Sequence, residues 1–290
     1  MKGIILAGGH GTRLYPTTIV TSKQLLPVFD KPMVYYPLSV LMLAGIKDIL
    51  VITAPSELSH FDKLLGDGSQ FGINISYKTQ DYPNGITEAF IIGEDFIGKD
   101  CVTLILGDNI FFGPGFSKTL QDKANYIKEN GGAYIFAYPV KDPSRFGIAQ
   151  FDENHNVLSL EEKPKEPKSN YAVTGLYMYD NNAVKYAKQI TPSARGELEI
   201  TDLNKIYLAK HKLKMQELGR GFSWIDAGTH TSLLEASQYI KIIEENQGIK
   251  IACLEEVAFR MKYLPKSRIL DNIKDMKNNE YFDYVRNILK

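Results

Sequence analysis

The sequence predicts an α/β fold in which a mainly parallel sheet is flanked by helices, and two observations support this prediction. Short runs of aliphatic and β-branched residues alternate with helix-like segments through the first half of the 290 residues. These runs are continuously apolar rather than alternating with polar residues. Parallel strands that are covered on both faces have this pattern.

Five elements follow in order in the first half, bounded by glycine or polar residues. They are a strand over 3–7, a helix over 36–44, and strands over 49–53, 73–77 and 102–106. Gly45 stops the helix, and the fourth strand ends at Gly107-Asp108.

From residue 133 the pattern changes to strands with short connections, which predicts antiparallel strands or a hairpin. The strand candidates are 133–138, 147–151, 157–160 and 172–179, and the helix candidates are 181–189, 199–210 and 232–245. The charged stretch 269–290 favours a helix packed on the outside. No linker, internal repeat or low-complexity tract divides the chain.

Composition excludes several classes of protein. A hydrophobic content of 44% supports one large domain or two intimate ones. Thirty-four basic and 34 acidic residues are scattered along the chain, which excludes an electrostatic nucleic-acid binder. No apolar run approaches the ~20 residues of a membrane span, and the opening run is too short for a signal peptide. Cys101 and Cys253 lack metal-ligand spacing and are predicted to be free thiols in a reducing compartment. We therefore expect a cytoplasmic protein without a membrane partner.

The most informative segment is the glycine loop that follows the first strand, Gly8-Gly9-His10-Gly11-Thr12-Arg13-Leu14, with Lys23 shortly after it. Bare N–H groups suit phosphate oxygens, and Arg13 and Lys23 add cationic donors. The loop lacks the Gly-Lys-Ser/Thr of Walker A and the third glycine of the dinucleotide fingerprint. A glycine turn with ordinary surface charges remains the simpler alternative. Glycines, arginine and lysine together at the end of a first strand favour a polyphosphate site.

The pattern G-G-x-G-T-R-L followed by S-K-Q-L-L-P-V-x-D-K-P-M resembles the sugar-1-phosphate nucleotidyltransferases, specifically the glucose-1-phosphate thymidylyltransferases. Further matching blocks lie in order at 106–109, 160–164, 170–177, 195–202 and 224–230. The resemblance implies a Rossmann-like mixed sheet with a nucleotide-binding half at about 1–110. It also implies a sugar-phosphate-binding half at about 111–240, partly antiparallel, and a C-terminal helical segment at 241–290.

The activity implied by this resemblance is Mg²⁺-dependent transfer of a thymidylyl group from dTTP to glucose 1-phosphate. The products are dTDP-glucose, which feeds deoxysugar synthesis of the dTDP-L-rhamnose type, and pyrophosphate. The attacking phosphate oxygen is already an anion, so the reaction needs alignment and charge neutralisation rather than a protein nucleophile. Two alternatives are a uridylyltransferase with the same cleft and a non-catalytic nucleotide-sugar-binding regulator. A pure binder need not retain the cations and carboxylates named here, which argues against the regulator.

Two aspartates are predicted metal ligands. Asp108 closes an apolar strand, and Asp226 follows Trp224-Ile225. Carboxylates that converge on a cleft suit Mg²⁺, which takes one or two carboxylates plus phosphate oxygens. Turn or cap aspartates are the alternative for each. Their blocks occur in the family's order, which favours metal ligands. With Arg13 and Lys23 they form the catalytic set that the resemblance implies.

The resemblance also implies two binding sets. The nucleotide set is Gly8, Gly9, Gly11, Thr12, Arg13, Lys23, Gln24, Gln80, Gly85 and Asp108. The sugar-phosphate set is Asn109, Gly147, Glu162, Lys163 and Val173. Taken alone, Gln80 is an exposed loop side chain, and Glu162-Lys163 is a solvated strand end.

Several positions depart from the family pattern. Residues 86–89 are Ile-Thr-Glu-Ala where Leu-Ala-Gln-Ala is usual, so Thr87 and Glu88 are atypical. His10 replaces serine, Phe146 replaces tyrosine, and Ala227 replaces a hydroxyl residue. None of these removes a cation or carboxylate that the reaction needs.

Residues 255–260 match a Glu-Glu-x-Ala-x-Arg segment. In the family this segment lines a second nucleotide site between the subunits of a homotetramer. The match implies end-product feedback through Glu256 and Arg260. The alternative is a plain helix face with an i,i+4 ion pair between these two residues.

Overall fold

The computed structural model describes residues 1–9 and 11–290, so the departure at His10 lies outside the described residues. The strands of the described part are β1 Lys2–Ala7, β2 Pro27–Val28, β3 Lys31–Pro32, β4 Asp48–Thr53, β5 Asn74–Thr79, β6 Val102–Leu106, β7 Asn109–Phe112, β8 Ala133–Pro139, β9 Gly147–Phe151, β10 Val157–Glu162, β11 Tyr171–Tyr179, β12 Leu213–Glu217 and β13 Ser223–Asp226. The helices are α1 Tyr35–Leu43, α2 Leu58–Leu65, α3 Glu88–Ile92, α4 Glu94–Ile97, α5 Phe116–Asn130, α6 Ala183–Ala187, α7 Ile200–Ala209, α8 His230–Gln247, α9 Leu254–Arg260, α10 Lys266–Ile273 and α11 Glu280–Ile288.

One central sheet organises the molecule. Its strands lie in the order β10-β9-β11-β6-β1-β4-β5, and β8 and β12 continue from β11. β6, β1, β4 and β5 run parallel, whereas β11 is antiparallel to β6, β8 and β9. The predicted mixed α/β sheet is confirmed, and so are the antiparallel strands expected from residue 133 onward.

The continuous apolar runs are explained by burial on both faces of this sheet. Ile4 pairs in register with Leu50 and Leu104, and all three side chains join one hydrophobic cluster. The next residues along the three strands join the cluster on the opposite face; they are Ile5, Val51 and Ile105. Because successive strand side chains alternate between faces, only apolar residues at every position can fill both layers.

A short antiparallel sheet of β7 and β13 positions the two candidate metal ligands. β6 leads through Gly107 and Asp108 directly into β7, and Asn109 pairs with Asp226 across this sheet. The N–H of Ala227 donates to the carbonyl of Asp108 at 3.0 Å. Two aspartates that are far apart in sequence therefore lie side by side.

The predicted helices are confirmed, with small shifts in their ends. α8 begins at His230 because Thr229 caps it and exchanges hydrogen bonds with Ser232. α8 continues across residue 240, after which the sequence predicts the start of the C-terminal helical segment. The predicted C-terminal stretch folds as α10 and α11, whose apolar residues Ile269 and Val285 pack against Cys253. Within residues 1–9 and 11–290, none of the helices is both long enough and apolar enough to cross a bilayer.

Candidate active site

A cavity of about 530 Å³ opens where β1 and β6 end, the edge at which open α/β sheets bind ligands. It brings together predicted residues from both halves of the chain: Gly9, Arg13, Lys23, Gln24, Asp108, Asn109, Gly147, Glu162, Lys163, Val173 and Asp226. Its described lining carries four cations and four carboxylates; these are Arg13, Lys23, Arg145, Lys163, Asp108, Glu162, Glu197 and Asp226. Gly8, Gly11, Thr12, Gln80 and Gly85 lie outside this lining.

Two short 3₁₀ turns, one at the end of the glycine loop and one after it, place Arg13 and Lys23 at the cavity. Arg13 lies on Thr12–Leu14 and Lys23 on Lys23–Leu25. The Thr18 hydroxyl donates to the carbonyl of Gly11 at 2.8 Å and closes the loop on itself. Thr12 points to solvent.

Asp108 is buried, and both of its oxygens have partners. The Lys23 ammonium donates to one oxygen, and the Asn109 amide donates to the other at 3.0 Å. The Asn109 carbonyl in turn accepts from the Gly175 N–H at 3.0 Å and from the Trp224 indole at 2.6 Å. The Asn109 amide therefore holds Asp108 in place, in addition to lining the cavity.

The two aspartates have opposite pKa shifts. Burial by itself would raise the pKa of Asp108, but the Lys23 charge and the hydrogen bonds from Lys23 and Asn109 lower it below its usual value. Burial raises the pKa of Asp226 to about 6, and the negative charge of Asp108 adds to this rise. Lys23, Arg13 and Arg145 counteract it in part. At neutral pH the nearby cations therefore neutralise only part of the negative charge of the two aspartates.

This raised pKa predicts a pH dependence of folding for the metal-free protein. A carboxyl whose pKa is higher in the folded state stabilises the fold most below its unfolded pKa. Stability is then lost as pH rises from about 4 through about 6. Asp226→Asn should remove this loss, so the variant should gain on the order of 2 kcal/mol relative to the parent across that interval. Urea unfolding from pH 4 to 7 in EDTA measures the difference, and a constant difference would contradict the shift.

The far end of the cavity holds the predicted sugar-phosphate residues. Glu162 pairs with Gly147 between β9 and β10 and accepts a 2.5 Å hydrogen bond from the Thr201 hydroxyl. Lys163 follows in the left-handed region, with φ 43, so its half-exposed ammonium turns back to 4.0 Å from Glu162. Non-glycine residues with such φ values are concentrated at functional sites. The register of β11 shifts between Val173 and Tyr177, along the adjoining wall.

Gln80 and Gly85 lie on a loop beside the cavity. Gln80 follows β5 and is buried, and its amide nitrogen donates to the Gly85 carbonyl at 3.3 Å and to Glu88 at 2.7 Å. Gly85 has a φ of 111, and a Cβ there would lie 2.5 Å from the Leu198 backbone. Asn84 and Thr87 hydrogen-bond the backbone of Leu198 from either side, so only glycine fits this close approach.

Comparison with known proteins fits this geometry. Residues 2–242 match the family model described as Nucleotidyl transferase. The chain belongs to this family. Glucose-1-phosphate thymidylyltransferase of Neisseria meningitidis is 58% identical over 290 residues, with both chains covered completely. The enzyme of the same name from Mycolicibacterium smegmatis is 51% identical, with 100% and 99% covered.

Solved structures of nucleotidyl transferases share the fold. A Bacillus anthracis chain described as a glucose-1-phosphate thymidylyltransferase, in complex with sucrose, is 45% identical with a TM-score of 0.75. The match covers 82% of this chain and 94% of that one. A UDP-glucose pyrophosphorylase complexed with UDP-glucose is 23% identical with a TM-score of 0.73, and the match covers 83% and 98%. The family resemblance in the motifs is confirmed.

The cavity of this nucleotidyl transferase also contains residues that sequence reasoning did not assign. Arg145 stacks on Phe146 and lines the cavity. Glu197 and Thr201 also line the cavity. Arg195 donates to Glu197 at 2.8 Å and lies 3.5 Å from Glu162. Arg195, Glu197 and Thr201 belong to the matching block 195–202, which was a usable signal. Arg145 had no signal of its own.

The departures from the family pattern have structural settings. Phe146 packs edge-to-face on Trp224 at 5.2 Å between ring centroids. Ala227 is fully buried. The Thr87 hydroxyl is buried without a hydrogen-bond partner among the described residues.

A second cavity of about 690 Å³ lies between α5, α9 and the segment before α9. Glu256 and Arg260 both line it. Glu256 accepts from Arg260 Nε at 2.6 Å and from the Tyr284 hydroxyl at 2.7 Å, so the i,i+4 ion pair of the alternative interpretation is present. The described lining has three cations, Lys118, Lys250 and Arg260, and one carboxylate, Glu256, together with Phe111 and Phe116.

Proposed function

We propose that this nucleotidyl transferase transfers the thymidylyl group of dTTP to α-D-glucose 1-phosphate and releases pyrophosphate. The observation that carries the proposal is one cavity with two adjacent carboxylates, four cations and a far end lined by Glu162 and Lys163. Full-length relatives with this activity in their names support it. The product, dTDP-glucose, would feed deoxysugar synthesis of the dTDP-L-rhamnose type.

Asp108 and Asp226 fit a magnesium ion. They are neighbouring carboxylates, and the charge of one raises the pKa of the other. The described residues contain no cluster of three or more metal-ligating side chains, and Mg²⁺ needs none when phosphate oxygens complete its shell. When bound, the ion supplies positive charge to the phosphates and neutralises the aspartates. Lys23, which is otherwise held by Asp108, is then available to the α-phosphate.

The nucleotide occupies the half at about 1–110. Backbone N–H groups of the glycine loop, Gly8, Gly9, Gly11 and Thr12, face the triphosphate. Arg13 stabilises the pyrophosphate that leaves, and Gln24 borders the nucleotide. Gln80 and the Gly85 backbone read the base; the Gly85 N–H donates to no other group of the described residues.

Glucose 1-phosphate occupies the half at about 111–240, and residues 241–290 form the helical segment outside it. The Glu162 carboxylate accepts sugar hydroxyls, and Lys163 pairs with the sugar phosphate. Gly147 and Val173 approach the hexose through their backbone, and Asn109 orients Asp108 beside it. These positions hold the phosphate oxygen in line with the α-phosphorus, which is the main catalytic task.

The triphosphate preference tests this proposal. Thymine and uracil differ by one methyl group, which is worth roughly 10–200-fold in an apolar pocket. We expect dTTP to be preferred, with UTP within about a hundredfold and CTP and purine triphosphates far behind. Pyrophosphate release is measured with glucose 1-phosphate and Mg²⁺. Equal use of UTP would favour a uridylyltransferase, and the absence of turnover would favour a regulator.

The second cavity binds an end-product nucleotide sugar, because its cations and aromatic rings suit a diphosphate and a base. Arg260→Ala should leave kcat unchanged and raise the IC50 of a dTDP-sugar end product at least about tenfold, since one charged hydrogen bond is lost. Arg268→Ala, an exposed arginine of α10, is the matched control. Unchanged inhibition of the Arg260 variant would leave only the helix ion pair.

The assembly is a homotetramer, in keeping with the family resemblance. Leu234 and Ile242 of α8 are 60% and 55% exposed, as expected for an apolar face covered by another copy. The two free thiols and the nucleoside triphosphate substrate fit a cytoplasmic enzyme. Light scattering of the purified protein measures the assembly.

A further inference from the structure

We propose that Glu88 sets base selectivity by fixing the orientation of the Gln80 amide. The inference rests on the proposed function, in which Gln80 contacts the base. A free glutamine amide can turn over and offer either a donor or an acceptor. By itself it would therefore accept both thymine and cytosine, and a second group is needed to fix it.

The contacts around Gln80 supply that group. Its amide nitrogen lies 2.7 Å from one oxygen of Glu88 and 3.3 Å from the Gly85 carbonyl. A carboxylate accepts hydrogen bonds and does not donate them, so only the NH₂ side of the amide can face Glu88. Turned over, the Gln80 carbonyl would meet the carboxylate oxygen as a second acceptor.

Glu88 is itself held in place. Its other oxygen accepts from the Asn84 side-chain amide at 2.9 Å. Asn84 lies on the loop that is tied to Leu198, so Asn84 and the carboxylate are anchored to the protein. Neither the amide nor the carboxylate can turn without losing hydrogen bonds.

The fixed amide presents Oε1 to the nucleotide loop. A Cβ on Gly8 would lie 2.7 Å from Oε1, so this oxygen lies against bare backbone at the end of β1. Oε1 accepts no hydrogen bond from the described residues, whereas the amide nitrogen donates to both Gly85 and Glu88. It is therefore an acceptor with unused hydrogen-bonding capacity beside the phosphate loop.

An acceptor at this point selects the base chemically. Thymine and uracil carry an N3–H that can donate to Oε1, whereas cytosine has a bare N3 that would face it acceptor to acceptor. Sites that match a substrate N–H with a fixed partner reject analogues without it by roughly 10⁴-fold or more. Glu88 is thus a positioning residue that acts through Gln80.

The test compares kcat/KM for dTTP and dCTP, which share the deoxyribose. Leucine at position 88 accepts no hydrogen bond, so only the Gly85 carbonyl at 3.3 Å would still hold the Gln80 amide. Glu88→Leu should lower the dTTP/dCTP ratio at least about tenfold, mainly by improving the use of dCTP, with dTTP use within about threefold of the parent. Asn84→Ala, at an exposed position, should lower the ratio about two- to fivefold. Glu94→Gln removes a nearby carboxylate that contacts Lys188 instead and should leave the ratio unchanged.

A parental ratio in Glu88→Leu would overturn the inference while leaving the proposed function standing. So would a parental ratio in Gln80→Ala, because Gln80 would then not read the base. If the unmodified protein released no pyrophosphate from dTTP in the presence of glucose 1-phosphate and Mg²⁺, the proposed function itself would be overturned.

Discussion

Asparagine in place of Asp108 or Asp226 should lower kcat by about 10²–10³-fold in an assay with about 5 mM Mg²⁺. Each change removes one of two carboxylates from the proposed metal site, and that loss is worth several kcal/mol of transition-state stabilisation. The side chains are isosteric, so the cavity keeps its shape. Steady-state pyrophosphate release measures the effect.

The two variants should differ in stability, which separates catalysis from folding. Asp226→Asn relieves a like-charge contact, so its melting temperature in EDTA should hold or rise at pH 7. Asp108→Asn leaves Lys23 without its carboxylate and should melt lower. Asp152→Asn is the control, because Asp152 accepts backbone N–H groups in a turn and is not part of the cavity lining. It should lose stability without losing kcat. Near-parental kcat in either site variant would return that aspartate to the turn interpretation.

Much of the fold could be predicted from local patterns. The strand runs at Ile4, Leu50 and Leu104 are apolar at every position because both sheet faces are buried, and this pattern is visible without a structure. Helix ends shifted by one or two residues because capping decides them. At α8 the Thr229–Ser232 exchange moves the start two residues earlier than the apolar pattern alone indicates.

The candidate site could be predicted only where a residue's neighbours in sequence carry its chemistry. The glycine loop and the two aspartates fall in that class. Partners contributed by distant segments could not be found this way: Asn109 is engaged by Gly175 and Trp224, and neither contact follows from spacing. The same holds for Glu88, since its departure from the family pattern is visible but its bond to Gln80 requires the folded loop.

Methionine in place of Lys23 should lower kcat by about 10²–10³-fold and change KM for dTTP less than tenfold. The ammonium would neutralise charge that grows on the α-phosphate only as the bond to pyrophosphate breaks, so its loss falls on the transition state. Arg13→Ala should lower kcat in the same sense, because charge also develops on the leaving group. Lys165→Met, an exposed lysine of the strand-end loop, is the matched control and should behave as the parent.

Lys23 also pairs with buried Asp108, so stability must be measured with activity. Breaking a buried pair costs about 3–5 kcal/mol when one charge is left unpaired. A dication on Asp108 and Asp226 would replace the missing ammonium. Mg²⁺ should therefore raise the melting temperature of Lys23→Met more than that of the parent, while kcat stays low. A variant that regains both stability and kcat in Mg²⁺ would make Lys23 a structural counter-ion. A raised KM with unchanged kcat would make Lys23 a binding residue only, because Lys23 would then stabilise the ground state and the transition state equally.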